Sequence, residues 1–533
     1  MRKNLLFGAI VFLAVISCNY FKKKKQVAAR DTTVNTITSF NNLFFDSAHL
    51  DAFIEQNPQY GVFIDQYRDF YSHRNYEYAW FDTSGLAEQA LNFYNLHNDF
   101  ISTYPDSLFR NKELDELFDR FAHKKINPSF AKADVLKTEL LLTGHFFEYT
   151  SKVYKGSDID ATQLGWFIPR KKINLTALLD SSLKAKGKET GMFASENSQY
   201  KKLEDAIAKY LALEKESTSD TITAVKKSLK KGNHAPEIRQ IKQKLLLFGD
   251  MAINDSTDVF DSTLFAATKL FQKRMGLAVD GVIGNRMIAE LNIPVSNRIR
   301  QLLTNMERVR WMPVENDSNF IVVNIPEYKM HVFDSGRLAY DMNVIVGTST
   351  NNTVIFSGNL KYVVFSPFWN VPESIVKKEI MPAMKKNPGY IAKNNMEITG
   401  YNGSTPIVRQ KPGRLNSLGL VKFLFPNNYN IYLHDTPNHE LFSQSSRSFS
   451  HGCIRIGDPK KFAEYLLRTD TSWNKHTIDS AMHLNKEKWV TIKKPVPVYI
   501  VYFTAWVDSD GLVNFRKDIY GHDARMEEKL FAN

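Results

Sequence analysis

The stretch Ser448-Phe449-Ser450-His451-Gly452-Cys453-Ile454-Arg455-Ile456 holds one of only two cysteines in 533 residues. A thiol near its ordinary pKa of about 8.5 is mostly protonated at neutral pH, so nucleophilic chemistry at Cys453 requires a base or a positive environment. His451, Gly452 and Arg455 surround it, whereas an inert core cysteine usually sits in an apolar run. A Cys-Gly beside a histidine also arises at ordinary turns, so these nine residues alone leave a structural role open.

Three histidines are close enough in sequence to serve as a base. His434 ends the apolar run Ile431-Tyr432-Leu433 and precedes Asp435-Thr436-Pro437, where a strand presents a side chain to its neighbour. His439 lies in a polar loop and is expected to be solvated. His451, two residues before the thiol, needs an unusual backbone to reach it and is expected to line the pocket.

The N-terminus bears on the same thiol. Arg2 and Lys3 precede the apolar run from Leu5 to Ile16, which is too short to span a bilayer and has the layout of a secretory signal. Its end, Val15-Ile16-Ser17-Cys18, resembles the lipobox of bacterial lipoproteins, which implies lipidation of Cys18 and a signal peptide over 1–18. The alternative is an ordinary signal cleaved nearby. A lipidated Cys18 cannot pair with Cys453, which leaves a lone thiol in an oxidising compartment, where an unused one is a liability. Lys22 to Lys25 would then lie beside anionic lipid.

Composition narrows the partners. Hydrophobic content of 43% and charged content of 24% are globular values, and the net charge of +12 allows an anionic partner. No basic helix interleaved with aromatics stands out, so nucleic acid is not expected. No metal-ligand spacing appears, and no cofactor is expected.

The elements that must position Cys453 follow in order. Residues 19–45 read as a polar tether. The span 46–225 has apolar residues at helical spacing, as in Leu136, Leu140 and Leu141, and reads as a helical scaffold domain whose cluster Tyr76, Tyr78, Trp80 and Phe81 is packing. Residues 232–293 read as a three-helix module and 294–317 as a connecting helix. From 318 to 503 strand patterns dominate. Within them 371–420 reads as an inserted lid, with a helix from Glu373 to Met384 and the remainder loop-like. Residues 504–533 read as a hairpin and charged tail. The fold class is α+β, multidomain.

Two resemblances enter here. Phe271-Gln272 with Gly276-Leu277, then Asp280-Gly281 and Gly284, resembles the peptidoglycan-binding domain of cell-wall enzymes. His434, then fifteen residues, then Ser450-His451-Gly452-Cys453 followed by Ile454-Arg455-Ile456, resembles the signature of the YkuD-type L,D-transpeptidases. Ser366-Pro367-Phe368-Trp369-Asn370-Val371-Pro372 and Leu433-His434-Asp435-Thr436-Pro437 are similar to the large, YcbB-like branch. Smaller members often have glycine where Asp435 stands, so the histidine's orientation cannot be carried over from them.

That resemblance implies Cys453 as nucleophile and His434 as base. Ser450, His451 and Gly452 would shape the pocket, and N–H groups around Gly452 and Cys453 would form the oxyanion hole. Arg455 would hold the loop or a substrate carboxylate, or else make a structural salt bridge. The implied activity is 3–3 cross-linking of peptidoglycan stems, sensitive to carbapenems, by a protein anchored by lipid on the periplasmic side of a membrane. An L,D-carboxypeptidase, a protein-to-wall anchoring enzyme and a non-catalytic wall-binding lipoprotein remain alternatives.

Overall fold

The computed structural model describes residues 43–531 apart from 83, 104–110, 125–130, 153–158, 171–173, 185–197, 217–219, 254 and 314–317. Cys18, Lys22 to Lys25 and most of the tether lie outside the described residues. No helix among the described residues is long and apolar enough to cross a membrane. The chain divides into two compact units, one running to Thr150 and including Asn174–Thr190, the other comprising Ser151–Ile173 and Gly191–Asn533.

The first unit is built around the helix Lys132–Thr150, whose buried residues lie on every side. Its Glu139 is fully buried and accepts hydrogen bonds from the Ala79 and Trp80 N–H groups at 2.6 and 2.9 Å and from the Tyr71 hydroxyl at 2.8 Å. Trp80 and Phe81 are likewise buried, so the aromatic cluster is packing held by a carboxylate. His97 and His145 meet inside the same unit, ring centroids 5.0 Å apart. Burial holds these two histidines down to about 4 and about 3, and raises Glu139 to about 7.

A pH dependence follows. Between about pH 4.5 and 6.5 the unfolded chain binds two more protons on these histidines and one fewer on Glu139, so the three groups together should contribute a rise of about 1.4 kcal/mol per pH unit. Other buried histidines, His434 and His522, add slopes of the same sign in the full chain. Denaturant unfolding of the full chain and of His145→Leu measures the difference: the variant's slope should be lower by about 1.4 kcal/mol per pH unit.

The second unit carries the strand-rich region. Its strands are β1 (Phe320–Asn324), β2 (Lys329–Asp334), β3 (Arg337–Gly347), β4 (Ile355–Phe365), β5 (Val421–Leu424), β6 (Leu433–His434), β7 (Ser448–Ser450), β8 (Ile454–Ile456) and β9 (Lys488–Val501). The hydrogen-bonded order is β5-β6-β8-β3-β2-β1-β9-β4, and β4 pairs again with β5, so the path closes on itself. Closure leaves no free edge in the ring. β6 and β8 are parallel, as are β1 and β9, and β7 lies parallel to β3. Alternate residues such as Ile321, Val323, Val344, Val346, Leu433 and Ile454 fill the core beside the helices Pro459–Leu467 and Lys475–Met482.

The span 46–225, read from sequence as one domain, is divided by the structure. Trp166–Phe167 adds a short parallel strand to the start of β4, and Trp166 packs edge-on against Trp311 at 5.7 Å. Its bulk ties that segment to the strand-rich unit.

The module at 232–293 has the three expected helices, Glu237–Leu247, Ser262–Arg274 and Asn285–Leu291. The Phe-Gln and Asp-Gly residues are its staple. The Gln272 amide donates to Asp280 and to the Val282 carbonyl and accepts from the Gly281 N–H. Gly281 has φ +71°, and a Cβ there would lie 2.2 Å from the Phe265 ring.

The lid corrects one expectation. Its second half is not loop-like: Met396–Asn402 and Thr405–Gln410 form a hairpin, joined by Trp369–Asn370 into a three-stranded sheet. Ile398-Thr399 and Ile407-Val408 supply β-branched pairs around the turn at Gly403. The helical half packs on this sheet through Val376, Ile380, Met396 and Val408, a small core of its own. Val376–Ile380 within it is a π-helical turn. In the C-terminal segment, the strands Ala505–Val507 and Val513–Phe515 make the expected hairpin, and the charged tail forms the helix His522–Leu530.

Candidate active site

The sheet register assembles the candidate residues. In the parallel pair β6/β8, Leu433 lies beside Ile454 and His434 beside Arg455. Leu433 and Ile454 point into the core, so the two-residue period places Tyr432, His434, Cys453 and Arg455 on the opposite face. The Ile454 N–H donates to the Tyr432 carbonyl at 3.1 Å, which fixes the start of β8.

The turn before Cys453 is braced from three sides. Gly452 has φ +109°, a conformation that favours glycine. The buried Ser450 hydroxyl accepts from the Gly452 N–H at 3.2 Å and donates to the Cys453 carbonyl at 2.5 Å. The Thr353 hydroxyl donates to the Gly452 carbonyl at 2.8 Å and accepts from the Gly347 N–H at 2.9 Å. The Gly452 N–H is therefore occupied, whereas the Cys453 N–H has no acceptor among the described residues.

His434 is buried and oriented by its own backbone. Its Nδ1 lies 2.5 Å from the Asp435 carbonyl oxygen, so Nδ1 carries the proton and donates, and Nε2 keeps its lone pair. Asp435 is held in turn: its carboxylate accepts from the Leu420 N–H at 2.8 Å and the Thr436 N–H at 2.7 Å, and its N–H donates to the Val421 carbonyl. Burial, then the Arg455 charge, lowers the His434 pKa to about 3. This imidazole is neutral at physiological pH.

No hydrogen bond joins His434 to the Cys453 sulfur. The Sγ instead faces the Asn430 carbonyl at 3.6 Å. Burial pushes the thiol up, and hydrogen bonding from the Tyr432 N–H and hydroxyl, with the Arg455 charge, opposes it without winning. Both catalytic candidates are thus uncharged at rest.

Arg455 makes no ion pair among the described residues, and its Nε is buried without a protein partner. The salt-bridge reading of Arg455 has no carboxylate to supply it. His451 is half-exposed, and its Nε2 lies 3.0 Å from Glu379 on the π-helical turn of the lid. That contact ties the lid to the turn carrying Cys453. His439 is exposed and lies 3.3 Å from the Asp435 carboxylate.

Sequence reasoning missed Tyr432, because an aromatic residue in an apolar run reads as core. Only the alternation with Leu433 marks its outward face. Tyr432→Phe should raise the thiol pKa further and slow iodoacetamide alkylation at pH 8 by about tenfold, the worth of one hydrogen bond to a charged atom.

Comparisons with known proteins bear on the domains of the chain. Residues 318–498 match the L,D-transpeptidase catalytic domain (YkuD). Those residues are a YkuD L,D-transpeptidase catalytic domain. Residues 65–207 match a scaffold domain and 234–291 a "Putative peptidoglycan binding domain". A Haemophilus influenzae protein named "Putative L,D-transpeptidase" is 34% identical over 247 residues, 43% of this chain and 50% of the relative. The chain thus spans about half the length of that curated relative. Among solved structures, an L,D-transpeptidase from Stackebrandtia nassauensis aligns at 13% identity and TM-score 0.23, over 52% of this chain and 97% of that one. An L,D-transpeptidase from Xylanimonas cellulosilytica aligns at 13% identity and TM-score 0.17, over 52% and 100%. Cys453 and His434 both fall inside the transpeptidase domain.

Proposed function

We propose that the protein is an L,D-transpeptidase that forms 3–3 cross-links between peptidoglycan stems through a thioester on Cys453. The observation that carries this reading is the His434 Nδ1–Asp435 carbonyl bond, which leaves Nε2 as a base on the face that also bears Cys453. The Sγ turns from Asn430 toward His434 and attacks the carbonyl carbon at the L-centre of the third stem residue, its proton passing to Nε2. The open Cys453 N–H receives the oxyanion. The C–N bond to the terminal D-alanine then breaks, Nε2–H protonates its amine, and the thioester remains. The side-chain amine of a second stem attacks that thioester and loses its proton to Nε2. The new amide forms and the thiolate leaves, to be reprotonated by Nε2–H.

Incubating the protein with tetrapeptide muropeptides and weighing the products tests this. Cross-linked dimers support the transferase, tripeptide alone indicates a carboxypeptidase, and unchanged substrate held by the protein sinks the enzymatic reading. The resemblance of Val15-Ile16-Ser17-Cys18 to a lipobox supports a lipid anchor at Cys18 on the periplasmic side of a membrane. Cys18→Ala should move it from the membrane to the soluble fraction.

A further inference from the structure

Away from the thiol, the helix Ser198–Glu216, the three-helix module and the C-terminal hairpin line an open cavity of about 320 Å³. That volume lies at the lower end of small-ligand sites, about 300–1,000 Å³. Its walls are tied together. The Gln199 amide donates to the Val507 carbonyl at 2.7 Å and accepts from the Val507 N–H at 3.2 Å. Arg274 donates to the Val513 carbonyl at 3.2 Å, and Arg516 donates to the Arg274 carbonyl at 2.9 Å. The Tyr210 ring stands edge-on to Phe515, centroids 5.6 Å apart.

The lining is apolar at its base and basic at its rim. Tyr210 and Phe248 present buried aromatic surface. Asp250 spends its carboxylate on Arg274, and Asp205 is paired with Lys201 at 3.0 Å. Lys202 and Lys209, seven residues apart on one face of their helix, line the same cavity. The Lys202 ammonium donates to the Asp508 carbonyl at 3.4 Å, and neither lysine has a carboxylate within ion-pair distance among the described residues. A Cβ at Gly249 would lie 3.7 Å from the Lys209 ammonium, which therefore reaches over bare backbone of the module. Asp250 is thus committed to Arg274 and Asp205 faces Lys201, which it shares with Glu204, and Lys202 and Lys209 set two positive charges above an apolar floor.

We propose that this cavity is a second binding site, for a carboxylate-bearing fragment of a peptidoglycan stem peptide. Lys202 and Lys209 receive the carboxylate, and Tyr210 and Phe248 contact a short apolar side chain. An uncharged glycan gives two ammonium groups nothing to pair with, and the volume suits a few atoms of peptide rather than a strand. The site rests on the reading that this chain acts on peptidoglycan. It would make wall binding a property of the module together with the neighbouring helix and hairpin.

The test uses the full chain carrying Cys453→Ala, with purified peptidoglycan sacculi as the probe in cosedimentation. Adding Lys202→Glu and Lys209→Glu, which reverse both charges of the cavity, should weaken binding roughly tenfold or more and flatten its salt dependence. Carbodiimide amidation of the sacculi should weaken the parent to the level of the double variant. Equal binding by parent and double variant overturns the proposal, as does competition by peptide-free glycan strands matching that of stem peptides. With Cys453 intact, the double variant should convert a soluble tetrapeptide donor at the parental rate. If neither protein converts that donor while the sacculus difference persists, the enzymatic reading falls and the cavity site stands.

Discussion

Cys453→Ala should abolish conversion of tetrapeptide stems, and His434→Gln should slow acylation by about 10²–10⁴-fold while the thiol stays open to alkylation. The two effects differ in kind. In the proposed reaction the sulfur forms the covalent bond, and the only other cysteine in the sequence is Cys18. In the same proposal His434 lowers a barrier by taking the thiol proton, a job that water can do poorly.

The resting charge states sharpen the test. His434 is held to about 3 by burial and Arg455, so as pH falls its base function persists until about that value. The Cys453 thiol is raised by burial, so it stays protonated through neutral pH. Acylation by a soluble donor should then be flat from about pH 5 to 8. Alkylation, which needs the thiolate, should climb about tenfold per pH unit over the same range. A thiolate–imidazolium pair at rest would instead give a plateau in alkylation near neutral pH, and observing that plateau would remove the neutral-pair description. Stopped donor assays and iodoacetamide rates on the same preparations separate the two.

Part of this candidate site was legible in the sequence: the apolar run Ile431-Tyr432-Leu433 marks a strand that ends at His434, and the pairing of His434 with Cys453 came from the resemblance carried by their spacing. The strand register then sets both on the face opposite Leu433 and Ile454. The four-residue run from Ser450 to Cys453 carried its turn in Gly452, whose φ of +109° suits glycine. What could not be read is what depends on contacts between distant segments. Thr353 reaches the Gly452 carbonyl across 99 positions, and Glu379 meets His451 from within the lid. The lid hairpin was hidden for another reason. Its strands are interrupted by Gly400 and Gly403 and carry exposed Tyr401, so punctuation outweighed the β-branched pairs. The same limit applies to Trp166, which lies in the span read as a helical scaffold and forms a strand only by pairing with the distant β4.

Gly419→Ala should reduce turnover through a residue that touches neither substrate nor sulfur. Gly419 has φ +62°, and a Cβ there would lie 2.3 Å from the Asp435 carboxylate. That carboxylate is fully engaged by the Leu420 and Thr436 N–H groups, so it cannot retreat without stranding two donors. Moving Asp435 also moves the carbonyl that holds the His434 Nδ1–H and so sets which nitrogen faces the thiol. The expected cost is about 1–3 kcal/mol in stability from overpacking and backbone strain. The fall in kcat should exceed what a Gly403→Ala control shows. Gly403 has φ +60° with nothing within 4 Å of its Cβ position, so that control carries the strain without the clash. Iodoacetamide reactivity of Cys453 should be unchanged in both variants, because the thiol's own partners, Asn430 and Tyr432, are untouched. Equal kcat in the two variants would show that Asp435 yields without disturbing the imidazole, and the tautomer would then owe nothing to this packing.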